Sequence, residues 1–230
     1  MRRIFVATVG LLLSGCVLVP NVQSGAPARP IPKPQAFQTD FSVVIGNVEP
    51  TAERMCRSQT DGGSCDFQIV VDNRPGQPAN AFQSIDGKGR PVLTFTTALI
   101  GQAHNDDELA FVLGHEAAHH ILGHLTQKRD VALVGAVLGG LFAGLAGGGA
   151  QAVDTAQNLG GLVGSRVYSK DFELEADALG ARISMQTGYD ALKGARFFTR
   201  IADPGDQFLG SHPPNRDRIN VVRNVVSGVK

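Results

Sequence analysis

Apolar positions come in runs whose spacing changes several times along the chain. Ile4 to Leu13 is a short continuous run behind Arg2 and Arg3, too short to cross a bilayer. Pro20, Pro27, Pro30, Pro32 and Pro34 follow with few large apolar side chains between them, which predicts an extended tether rather than packed structure. From Phe41 to Arg57 the apolar positions recur at helical spacing, so the folded domain is expected to begin near Phe41. Phe67–Val71 reads as a strand closed by Asp72-Asn73-Arg74-Pro75-Gly76. Ala81–Ser84 and Val92–Thr96 read as two further strands, with Asp86-Gly87-Lys88-Gly89 as the turn between them. Asn105 then caps a helix running to about Leu122, with Glu108 three residues on as in a capping box and an acidic first turn suited to the helix dipole. A second amphipathic helix is expected to open at Asp171 and end near Gly188.

Between those two helices lies a stretch of another kind. Val131 to Val153 carries no charge, and Gly135, Gly139, Gly140, Gly144 and Gly148 recur at steps of about four. That length reaches across a bilayer and the small-residue spacing suits close helix contact. A single crossing would put the two flanking helices on opposite sides of the membrane, which their shared chemistry, described next, forbids. Residues 131–165 are therefore expected to form a tightly packed helical hairpin or a lid, with a shallow membrane dip as the variant.

The chemistry sits at His115-Glu116-Ala117-Ala118-His119. Four residues is just over one helical turn, so both imidazoles leave one face about 6 Å apart along the axis. Two neutral imidazoles at that spacing can share a tetrahedral zinc ion. Glu116 lies about 100° round the helix, placed to act as general base without ligating the ion. His120, turned about 100° from His119, and His124, about 180° from His115, leave that face, and with His104 are expected to be packing or surface histidines. A third ligand must come from elsewhere. In Asp171-Phe172-Glu173-Leu174-Glu175-Ala176-Asp177, Glu173 and Asp177 share one helix face. Glu173 can ligate while Asp177 accepts a hydrogen bond from a ligating histidine and sets its tautomer. Glu175 points elsewhere and reads as a solvated charge.

These two motifs together resemble peptidase family M48, the HtpX and CAAX-prenyl-protease type of zinc metallopeptidase. Asn80-Ala81-Phe82, Gly188-Tyr189-Asp190 and Ser211-His212-Pro213-Pro214 add to the resemblance, which covers roughly residues 45–225. It departs at Thr97-Ala98-Leu99, where relatives often carry glycine in the middle. The resemblance implies a mostly helical α+β, zincin-like domain over 41–230, with a small sheet beside the active-site helix and one Zn2+ per chain. It implies His115, His119 and Glu173 as metal ligands and Glu116 as catalytic base. His212 would approach the metal, either to stabilise an oxyanion or as a fourth ligand that closes the site; otherwise it is a turn histidine. Arg218, at the family's usual offset, would assist the oxyanion or pair with a site carboxylate.

Composition narrows the setting. The 230 residues carry 21 basic and 21 acidic side chains, with no basic stripe to bind nucleic acid. Leu13-Ser14-Gly15-Cys16 resembles the lipobox of bacterial lipoproteins. Residues 1–15 then form a signal peptide, and Cys16 becomes the lipidated first residue of a tether over 16–40. Val17 stands where an aspartate would retain such proteins at the inner membrane, so the resemblance implies the periplasmic side of the outer membrane. Cys56 and Cys65 are expected to form a disulfide in an oxidising compartment, a second metal site being the alternative. The function expected is a cell-envelope endopeptidase acting on unfolded or misfolded proteins. The rival is an envelope chaperone or assembly lipoprotein with a largely latent zinc site.

Overall fold

The computed structural model describes residues 39–200 and 213–228, and over 160–169 the backbone alone. Helix α1 spans Phe41–Gln59, and the Asp40 carboxylate accepts hydrogen bonds from the Ser42 and Val43 amides at its start. It buries Val44, Val48, Ala52 and Cys56 at helical spacing, which is the periodicity that predicted it. A disulfide joins Cys56 to Cys65, whose Cα atoms lie 5.6 Å apart.

Three strands follow, β1 (Gln68–Asp72), β2 (Ala81–Ile85) and β3 (Pro91–Thr96). The sheet has the order β1-β3-β2, with β3 parallel to β1 and antiparallel to β2. Asp86 organises the β2–β3 turn by accepting from the Lys88 and Arg90 amides. Gly89 has φ +84°, a conformation that suits glycine. Central β3 buries Leu93 and Phe95, whereas Phe82 and Ile85 of edge strand β2 are exposed. The short helix α2 (Thr97–Gln102) starts where the Thr96 hydroxyl accepts from the Leu99 amide. The strand-like reading of 92–96 did not foresee it.

Helix α3 (Asp106–Ile121) is the centre of the domain and packs against α1, the sheet and a later helix. Asn105 caps it by accepting from the Glu108 amide at 3.1 Å. The return bond of the expected capping box is displaced by one residue: Glu108 accepts from the His104 amide and also pairs with Arg200. Gly123, at φ +69°, ends the helix and turns the chain into α4 (His124–Leu145).

The next helix corrects the sequence reading. Instead of opening at Asp171, α5 runs unbroken over Ala150–Gln186. Asp171 therefore sits inside it, and the acidic cluster does not complement a helix N-terminus. No proline interrupts 150–186, and glycine alone costs only about 1 kcal/mol per residue, which packing can offset. The first half of α5 lies along α4, joined by a short turn over 146–149, as a helical hairpin. The two helices approach closely: a Cβ on Gly139 would collide with the Ala156 carbonyl, and one on Gly140 would lie 2.6 Å from the Gln157 side chain. The outer face stays apolar and exposed, with Leu133, Val137, Leu141, Phe142 and Leu145 all in solvent. Among the described residues no helix is long and apolar enough to cross a membrane.

The chain finishes with α6 (Ala191–Gly194), a 3-10 turn (Ala195–Thr199) and α7 (Asn215–Val226). The architecture is α+β and mostly helical, with one small mixed sheet beside α3. The expected signal peptide, Cys16 and His212 lie outside the described residues.

Candidate metal centre

Two glycines bring the two halves of the centre together. Where α3 crosses the second half of α5, a Cβ on Gly114 would lie 2.9 Å from the Gly180 carbonyl oxygen. A Cβ on Gly180 would lie 2.8 Å from the His115 amide nitrogen. The backbones therefore touch one residue before His115, which faces it toward the Glu173–Asp177 turn of α5. Neither glycine stood out in the sequence, because isolated glycines in helical patterns have no spacing signature.

At this crossing the side chains converge. His115 Nε2 and His119 Nε2 are 3.1 Å apart. Glu173 presents Oε2 at 3.4 Å from His115 Nε2 and Oε1 at 3.4 Å from His119 Nε2. Two imidazole nitrogens and a carboxylate form a donor set for a divalent ion. Donors about 2.05 Å from a tetrahedral ion stand roughly 3.4 Å apart; here the two carboxylate–imidazole spacings are 3.4 Å and the imidazole–imidazole spacing 3.1 Å. The charges agree as well. Glu173 and Asp177 both pair with the Arg218 guanidinium, and Glu116 is buried beside the same cleft, so the carboxylates outnumber that guanidinium. The residues present fit a divalent metal ion.

Behind the ligands is a second layer. Asp177, fully buried, accepts from His115 Nδ1 at 2.9 Å, which turns Nε2 to the centre, where a metal ion would take the place of its proton. Arg218 grips Asp177 with two bonds of 2.8 Å from Nε and Nη2. Its guanidinium lies over the Phe198 ring at 3.7 Å, and Nη2 is 3.5 Å from Glu173 Oε2. Of the two roles the sequence left open for Arg218, its placement matches pairing with a site carboxylate. Burial alone would lower the His115 pKa, but the carboxylates of Asp177 and Glu173 outweigh it and hold the ring up at about 10. Burial pushes His119 down. It also takes His124 down to about 4, with His119 adding to the effect.

Glu116 is buried and borders two depressions that meet at the ligands. One continues over Phe82, Leu125 and Phe172. The other continues over Leu99, Val112, Phe197 and Asn215. Ala81 of β2 borders both, so the sheet edge flanks the ligands.

Of the two histidines expected to leave the metal-facing side, one departs from the helical projection. His120 is a packing residue as expected, with Nε2 2.7 Å from the Ser64 carbonyl and its ring edge-on to Phe67. His124 is not remote: its Nδ1 lies 3.0 Å from His119 Nδ1, and its ring stacks on Phe172 at 4.5 Å. The projection failed because it assumed an unbroken helix, and Gly123 breaks it. Glu175 is exposed, as expected of a surface charge, yet its Oε2 lies 3.1 Å from His124 Nε2. No spacing rule ties these residues across the bend.

The comparisons with known proteins agree with this chemistry. The chain is 32% identical over 155 residues to a Vibrio cholerae protein named "Putative beta-barrel assembly-enhancing protease", covering 61% of this chain and 31% of that one. It is 29% identical over 163 residues to the mitochondrial metalloendopeptidase OMA1 of Saccharomyces cerevisiae, covering 66% of this chain and 45% of that protein. The OMA1 of Arabidopsis thaliana is 26% identical over 156 residues, covering 66% and 30%. The chain thus spans less than half the length of these relatives. The model of Peptidase family M48 matches residues 45–226, a span that contains the ligand set, Glu116 and the Asp177–Arg218 pair, and the chain belongs to that family.

Proposed function

We propose that this chain is a zinc-dependent endopeptidase of the bacterial cell envelope. The observation that carries the reading is the meeting of His115 Nε2, His119 Nε2 and the Glu173 carboxylate, with buried Glu116 bordering the clefts on both sides. His115, His119 and Glu173 would hold the zinc ion, which when bound would supply Lewis acidity toward water and the scissile carbonyl. Glu116 takes a proton from the attacking water onto its carboxylate and returns it to the leaving amine nitrogen. Asp177 holds the His115 Nδ1 proton, and Arg218 holds Asp177. Among the described residues Ala81–Ile85 is an edge strand, suited to an extended substrate lying as an added strand beside both depressions.

Envelope location and misfolded protein substrates rest on the lipobox resemblance at Cys16 and on the printed name of the Vibrio cholerae relative. The lipidated N-terminus would anchor the chain on the periplasmic side of the outer membrane. Glu116→Gln keeps the ligands and removes the base. It is expected to retain stoichiometric zinc while cleavage of an unfolded protein falls by about 10²- to 10⁴-fold. Undiminished cleavage by pure E116Q protein would take Glu116 out of the mechanism.

A further inference from the structure

We infer that Glu175 and His124 form a hydrogen-bonded relay that positions His119 for the metal, a counterpart on the second ligand of the Asp177 support on the first. The inference rests on the metal reading above. It begins with three distances: Glu175 Oε2 to His124 Nε2 3.1 Å, His124 Nδ1 to His119 Nδ1 3.0 Å, and His119 Nε2 to His115 Nε2 3.1 Å.

Proton bookkeeping sets the direction of the chain. A carboxylate only accepts, so the His124 nitrogen facing Glu175 carries the proton. A neutral His124 then has a bare Nδ1, which accepts. The facing His119 Nδ1 must be the donor, and its remaining nitrogen, Nε2, is left with a lone pair turned toward Glu173. That is the tautomer a metal ligand needs. With the chain reversed, His119 Nε2 would carry the proton and His124 would aim a bare nitrogen at a carboxylate.

The local fold holds this arrangement in place. Gly123 at φ +69° ends α3 immediately before His124 and folds the ring back over the preceding turn. His124 is buried to 3% exposure and stacks on Phe172 at an interplanar angle of 12°. Phe172 and Glu175 both belong to α5, as does the ligand Glu173. The helix that supplies the carboxylate ligand therefore also orients the second histidine ligand, through a residue at the head of α4. His124 and Glu175 are positioning residues, acting through His119.

Two measurements test the relay. In the zinc-loaded wild-type protein, histidine side-chain nitrogen NMR should find the His124 proton on Nε2 and none on Nδ1; a proton on Nδ1 overturns the relay. The second is zinc affinity by competition with a chelator. His124→Phe keeps the ring that stacks on Phe172 and removes the acceptor, and is expected to weaken zinc binding by about 10- to 100-fold. His124→Asn restores an acceptor near the Nδ1 position and should recover most of that loss. Glu175→Ala, at an exposed position, should cost about 2- to 5-fold. A folded H124F chain that binds zinc as tightly as wild type overturns the inference and leaves the metal reading standing. A wild-type chain that binds no zinc removes both.

Discussion

The two halves of α5 have different surroundings. Its second half crosses α3 at Gly114 and Gly180, and that contact buries Glu173, Asp177, Arg218 and His115, with His119 half-buried beside them. Its first half lies along α4 with a still closer approach at Gly139, yet the hairpin presents Leu141, Phe142 and Leu145 to solvent. Close glycine-mediated packing is common to both, so it is not what makes a site. The difference is what the packing encloses. At the crossing, polar side chains from two helices are removed from water and must satisfy one another or an ion. In the hairpin no cluster of three metal-binding side chains is gathered among the described residues, and the face turned outward is apolar.

The comparison can be broken first at Asp177. Asp177→Asn removes the charge that holds Arg218 and His115, leaving a buried guanidinium with a weaker partner. The expected loss is about 3 kcal/mol of folding stability, with zinc bound about 10- to 100-fold more weakly. Denaturant unfolding and chelator competition would measure the two. An unchanged zinc affinity would mean that Asp177 supports the fold alone.

A sharper form uses the same small change on each half. Gly180→Ala places a methyl group 2.8 Å from the His115 amide. It should cost about 1–3 kcal/mol by overpacking, and weaken zinc binding because the two helices must separate. Gly139→Ala forces a closer clash, 2.1 Å from the Ala156 carbonyl oxygen, and should carry at least that overpacking cost within the hairpin, yet leave zinc affinity within about twofold of wild type. If both variants lose zinc equally, the two halves of α5 are not independent.

The smallest expected effect is on the open face. Phe142 is 71% exposed, so Phe142→Ser should change unfolding free energy by no more than about 0.5 kcal/mol. A larger loss would show that this ring is covered in solution.

Part of this molecule was legible along the chain. The helix beginning at Phe41, the β2–β3 turn at Asp86 to Gly89 and the cap at Asn105 each depend on neighbours a few residues apart, which is the range that spacing rules cover. The pairs His115 with His119 and Glu173 with Asp177 were legible for the same reason, since four residues place two side chains on one helix face. Asp171 misled because an acidic cluster after a glycine-containing stretch looks like a helix start. The continuity of α5 depends on its packing along α4 rather than on local preference.

Sequence alone, then, determined the candidate donor types, their helical spacing and the carboxylate of Glu116 beside the first histidine. Tertiary structure decided which donors meet: it set the Glu173 carboxylate 3.4 Å from each imidazole nitrogen, placed Arg218 on Asp177, and turned His124 back onto His119. Local spacing is a property of one helix, readable from its period. Convergence depends on how closely two backbones can approach, and here that was settled by two glycines whose significance appears only where their helices cross.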